Sequence, residues 1–182
     1  MEESQQQIGS LPSYWNSVII AGAIFGLISA IGQLVGGYVL INTGEQSNII
    51  NVGFCLIGAF AGFTALWHYN DLGDFSMSLG RGALIGFLAG AVAALLSMGF
   101  VWIWKLIDPS YEQAFKQANI AMIENDGSIP DEWKQMSIDM IHDPSLMMTI
   151  LTSIGGIVFM GVLNMLTGML GVKVFGKKEE KF

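Results

Sequence analysis

Asp139, His142 and Asp143 form the most metal-like grouping in the chain. At i, i+3 and i+4 on a helix, one imidazole and two carboxylates lie on adjoining faces and could hold a divalent cation in an aqueous phase. Against this, Asp143 precedes Pro144 and is wanted as a helix cap, and no second histidine lies nearby. No metal and no cofactor are therefore expected. His68 stands beside Trp67 and Tyr69, an ordinary place for an imidazole at a membrane interface. Cys55, the sole cysteine, falls inside an apolar run and reads as a small buried hydrophobe. No Walker loop, nucleophile elbow, HExxH or CxxC pattern occurs. These residues point away from an enzyme.

Gln33 and Asn164 are the strongly polar side chains within the long apolar runs. No acid or base lies deep in any run, and ion-coupled transporters and proton relays usually need one. Gln33 and Asn164 are expected to hydrogen-bond between helices, worth on the order of 0.6–2 kcal/mol. Together with Thr64 and Ser97 they could instead line a small pore or carrier.

Positioning these groups requires a membrane scaffold. Of 182 residues, 52% are hydrophobic and 13% charged, against roughly 25% charged in a soluble domain. Four apolar runs cover about residues 18–41, 49–69, 82–107 and 146–172. Each exceeds the roughly 20 residues that cross a bilayer core as a helix, and helix is the default because lipid offers the backbone no partner. The acidic N-terminus lacks the basic region of a secretory signal, so the first run is kept as a span. The expected fold is an all-α membrane protein, a single domain over residues 1–182 with four transmembrane helices and an extramembrane insertion at 108–143.

That insertion reads as an acidic helical hairpin. Asp108 before Pro109 suits a cap and first helical position, Ser128 with Asp131 suits a second start, and Asp143-Pro144 suits the launch of the last span. Eight acids stand there against Lys116 and Lys134, with Glu124, Asp126, Asp131 and Glu132 near the turn as a candidate face for a basic partner. The net charge of −7 argues against nucleic acid. Arg81, Lys173, Lys177, Lys178 and Lys181 share the side of the termini, which favours termini in the cytoplasm and residues 108–143 in the periplasm. Gly22, Gly26, Gly58, Gly62, Gly82, Gly86 and Gly90 recur at four-residue spacing, lining helix faces that let backbones approach closely. They serve packing within the chain or a homo-oligomer seam.

The stretches AGFTALWHYNDLGDFSMSLGRGALIG, WKLIDPSYEQAF and ENDGSIPDEWKQM together resemble domain-of-unknown-function family 4199, found mainly in Bacteroidota, over nearly the full length. The resemblance implies a four-span inner-membrane protein with a helical insertion before the last span. It implies no activity and carries over no site residues. The hairpin after the second span departs from the family's basic pattern, with Asp71 and Asp74 beside a lone Arg81. The function expected first is a non-catalytic inner-membrane accessory or assembly subunit, acting through helix packing and the acidic face, among membrane lipids, other membrane proteins or copies of itself. The alternative is a small carrier or channel for an uncharged or cationic solute.

Overall fold

The computed structural model describes residues 13–72 and 77–175. Asp74 and the C-terminal lysines Lys177, Lys178 and Lys181 lie outside the described residues. Among the described residues seven helices occur in order: α1 (Trp15–Thr43), α2 (Asn48–Gly58), α3 (Ala61–Asp71), α4 (Leu79–Ile107), α5 (Pro109–Asn125), α6 (Asp131–His142) and α7 (Leu146–Phe175). No strand occurs among the described residues. Four stretches among the described residues are long and apolar enough to cross a membrane: α1, α2 with α3, α4 and α7. The fold is all-α, and the chain is a multi-pass membrane protein.

The helices outrun their apolar cores because a helix continues until a cap or breaker stops it. Helix α1 ends at Gly44, which takes φ 70° and donates its N–H to the Leu40 carbonyl at 2.8 Å. A left-handed residue there favours glycine, which has no Cβ to clash. Helix α4 starts at Ser78, whose hydroxyl accepts from the Arg81 N–H at 3.3 Å.

The expected second span is interrupted. Helix α2 stops at Gly58 and α3 resumes at Ala61, so Ala59 and Phe60 form a turn within what the sequence reads as one helix. Around the insertion at 108–143, two of the three expected caps also differ. Ser128 starts no helix; its N–H and hydroxyl donate to the Asp126 carboxylate at 2.9 and 2.6 Å in a local turn, and α6 begins three residues later. Asp143 closes α6, donating its N–H to the Asp139 carbonyl, while Ser145 caps α7 by accepting from the Met148 N–H at 3.2 Å. Asp108 does take the cap position before Pro109 at the start of α5, and its carboxylate accepts chiefly from the Ser110 and Tyr38 hydroxyls.

The bundle packs α4 against both α1 and α7, with α3 wedged against α7, α4 and α1. Its centre is made of small residues: Ala21, Ala61, Ala65, Ala89 and Ala93 are all buried beside Val18, Leu66 and Ile85. Without hydrophobic drive between helices in lipid, this close approach is a main source of association. Gly22 and Gly26 of α1 meet Val92, Ala89 and Ala93 of α4, whereas Gly82, Gly86 and Gly90 of α4 meet Val172, Gly168, Asn164 and Met160 of α7. Gly62 lies against the Asn164 carbonyl and the Gly86 Cα, and Gly58 lies against the Ser29 hydroxyl and Met160.

Polar and aromatic groups close each end. Toward the termini, the Arg81 guanidinium donates to the hydroxyl of buried Tyr69 at 2.8 Å, and buried Ser17 bonds His68 Nδ1 at 2.8 Å. At the other end, Trp104 donates to the Tyr38 hydroxyl at 3.1 Å, which donates on to Asp108 at 2.7 Å. Tyr111 of α5 reaches into the space left by the missing side chain of Gly37 and is buried there. This seats α5 on α1 and α4, and α6 in turn packs on α5.

Candidate functional site

Asn164 lies on α7 and is fully buried. Its Oδ1 accepts from the Gly62 N–H at 2.7 Å, and its Nδ2 donates to the Gly58 carbonyl at 3.2 Å and the Met160 carbonyl at 3.0 Å. Gly58 and Gly62 are the pair that an unbroken helix would bond directly, i to i−4. The Asn164 amide is therefore spliced into the ladder of the second span, a recognised cause of helix kinks. Thr167 supports it by donating to the Ala59 carbonyl at 2.6 Å. An amide can do this because it carries donor and acceptor on one short group. In lipid the freed backbone groups would otherwise lack partners. Glycine at position 62 lets the α7 backbone come close enough for the amide to reach.

The two halves of the broken span pack differently. Helix α3 is held among α1, α4 and α7, whereas α2 packs substantially on α1 alone. Gly32 of α1 receives the Phe54 ring of α2. At the C-terminal end of α2, Met160 of α7 approaches Gly58, and beyond that point toward α5 and α6 the two helices part. The opposing part of α7 is bare: Leu151 and Ile154 are more than half exposed, and a Cβ on Gly155 or Gly156 would meet nothing.

Between the parted helices lies a cavity of about 440 Å³. Polar groups from three helices line it: Ser29 and Gln33 of α1, Ser97 of α4, Thr152 and Ser153 of α7. Phe54, Met98 and Met160 supply apolar wall, and Cys55 lies on the α2 side. Gln33 donates from Nε2 to the Ser97 hydroxyl at 2.7 Å. The Ser29 hydroxyl is enclosed and has no hydrogen-bond partner among the described residues. No carboxylate, ammonium or guanidinium is among the lining groups.

Gln33 and Asn164 therefore do different work. Gln33 faces the cavity; Asn164 is committed to the backbone of α2 and α3 and does not line it. Ser97 lines the cavity, but Thr64, on α3, does not. The sequence reading missed Ser29, Thr152 and Ser153, whose only signal was a hydroxyl within an apolar run.

The acidic groups are arranged openly. Glu124, Asp126, Asp131 and Glu132 are all exposed around the turn between α5 and α6, and Lys134 donates to the Glu124 backbone carbonyl at 2.9 Å. The Ser128 hydroxyl, then its N–H, holds the Asp126 carboxyl below the usual carboxylate range. Asp108 is likewise held low, first by the Ser110 hydroxyl at 2.5 Å and then by Tyr38. Asp139 accepts from Gln135 at 2.9 Å, while His142 and Asp143 are exposed at the end of α6. Among the described residues, no three His, Cys, Asp or Glu side chains are gathered as a metal would need.

Neither the curated proteins nor the solved structures contain a match to this chain. A family model described as a protein of unknown function, DUF4199, matches residues 21–173, a stretch that takes in the broken span, the cavity and the α5–α6 insertion. The chain belongs to the DUF4199 family.

Proposed function

We propose that the chain is a non-catalytic integral membrane protein that binds a small uncharged molecule inside the bilayer, closer to a carrier than to an assembly subunit. The cavity carries this reading. Its volume of about 440 Å³ falls in the range of roughly 300–1,000 Å³ typical of small-molecule sites. Its lining offers hydroxyls and one amide but no counter-charge, and an unpaired ion in such a low-dielectric place is costly. A continuous channel fits less well, because toward the termini α3, α4 and α7 close on one another around Asn164 and its flanking glycines.

Purified protein in mild detergent should retain an uncharged small molecule that extraction and mass spectrometry detect. Ser153→Trp should lose it, since the indole would fill the cavity from a stretch of α7 with little packing to disturb. Identical extracts from both proteins would overturn the reading.

A second reading is supported by the open acidic turn: an accessory subunit in a bacterial inner membrane, with cytoplasmic termini and a periplasmic α5–α6 pair that meets a basic partner. Reversing Glu124, Asp126, Asp131 and Glu132 to lysine should release that partner through like-charge repulsion. The same co-purifying proteins from variant and wild type would end this reading.

A further inference from the structure

We infer that the ligand is an uncharged amphiphile, a hydroxyl-type head on a single apolar chain, which enters the cavity sideways from the lipid through the gap between α2 and α7. This rests on the binding reading above and names its ligand class and route.

Unused hydrogen-bonding capacity in the cavity calls for a polar head. The Ser29 hydroxyl is enclosed without a partner, and near it the exposed side chain of Gln33 donates from Nε2 to Ser97 with its carbonyl oxygen left open to the cavity. A buried polar atom left unpaired is unfavourable, so a group that both donates and accepts would satisfy the Ser29 hydroxyl and bridge to the open Gln33 oxygen. A hydroxyl does both. The chain is argued from the remaining wall, where Phe54, Met98 and Met160 offer apolar surface.

The route is argued from the break. Helices α2 and α7 meet where Met160 covers Gly58 and part beyond it, and the large exposed side chains on those stretches of the two helices, such as Val52 and Ile154, are apolar. A hydrated solute would have to shed its water against that surface, whereas an acyl chain would not. Asn164 and Thr167 satisfy the backbone groups at the break, so α2 stands apart from α7 with those groups still paired.

Cys55 is the sole cysteine and lines the cavity, which makes it a built-in reporter. In phosphatidylcholine nanodiscs, its alkylation by N-ethylmaleimide is monitored by mass spectrometry with decanol, decanoate, decane or glycerol present. A Cys55→Ser protein carrying Ser153→Cys is run alongside as a reporter on the opposite wall. Decanol at ten times its Kd leaves about one site in eleven free, so alkylation should slow roughly tenfold at both reporters. Decanoate, decane and glycerol should leave the rate unchanged. Equal protection by decane or decanoate overturns recognition of an uncharged head. Protection by glycerol and not decanol overturns the lipid route while leaving the binding reading intact. No protection by any probe, or no alkylation at either reporter, overturns the inference; the comparison of extracts from wild type and Ser153→Trp then judges the binding reading separately.

Discussion

Replacing Asn164 with leucine removes the amide from the broken span at little change in side-chain shape. Two interhelical bonds go, to the Gly62 N–H and the Gly58 carbonyl. At about 0.6 kcal/mol for each such bond in a membrane, the direct loss is about 1 kcal/mol. The Gly62 N–H is then buried without an acceptor, and an orphaned buried donor costs a further ~1–3 kcal/mol. The expected destabilisation is about 2–4 kcal/mol, read from unfolding in mixed micelles of increasing sodium dodecyl sulfate content. Amide exchange should report the same event locally, with Gly62 losing protection while residues within α4 keep theirs. One competing outcome is specific: α2 and α3 could straighten, letting Gly62 bond Gly58 directly. Unchanged stability together with a protected Gly62 amide would show this, and would refute the claim that Asn164 holds the break.

Gly86→Ala should destabilise by about 1–3 kcal/mol, because its Cβ would strike the Asn164 backbone carbonyl and neither helix can yield there. Gly99→Ala, where a Cβ meets nothing within 4 Å, should instead be neutral or stabilising by up to about 1 kcal/mol, as removal of a helical glycine allows; the same micelle titration checks both. The Asp108 carboxyl is depressed by Ser110 and then Tyr38, so its contribution to seating α5 is present above the ordinary carboxylate range and lost as pH falls through the lowered value. Carboxyl carbon chemical shifts should show Asp108 titrating below the ordinary aspartate range, and Ser110→Ala should move it upward. In a Cys55→Ser background, a maleimide that cannot cross the membrane should label Ser128→Cys in intact spheroplasts and spare Leu72→Cys; the opposite pattern reverses the proposed orientation.

The spans are legible because lipid imposes length and apolarity on any crossing helix, and α1, α4 and α7 show both without interruption. The glycines are legible as small faces, but which face meets which helix is a tertiary matter. Gly58 and Gly62 look like two more packing residues, although one flanks a break and the other supplies its freed N–H. The side chain that makes the break tolerable lies 102 residues further along the chain from Gly62, beyond any local pattern. Asp143 reads as a cap because it precedes a proline, yet Ser145 competes for the role from two residues nearer to α7. The cavity is the least legible feature. Ser29, Thr152 and Ser153 are ordinary in membrane helices, and they become walls only because α2 leaves the bundle after a break invisible in hydropathy.

Electron cryomicroscopy of the protein in a lipid nanodisc, enlarged by a rigid antibody fragment, tests most directly whether the space between α2 and α7 is a binding site. An elongated feature should lie between Gln33 and Ser153, with its head within hydrogen-bond distance of Ser29 or Gln33, and should disappear in Ser153→Trp. A helix running unbroken from Asn48 to Asp71 and lying flush on α7, with no space between them, would contradict the binding reading.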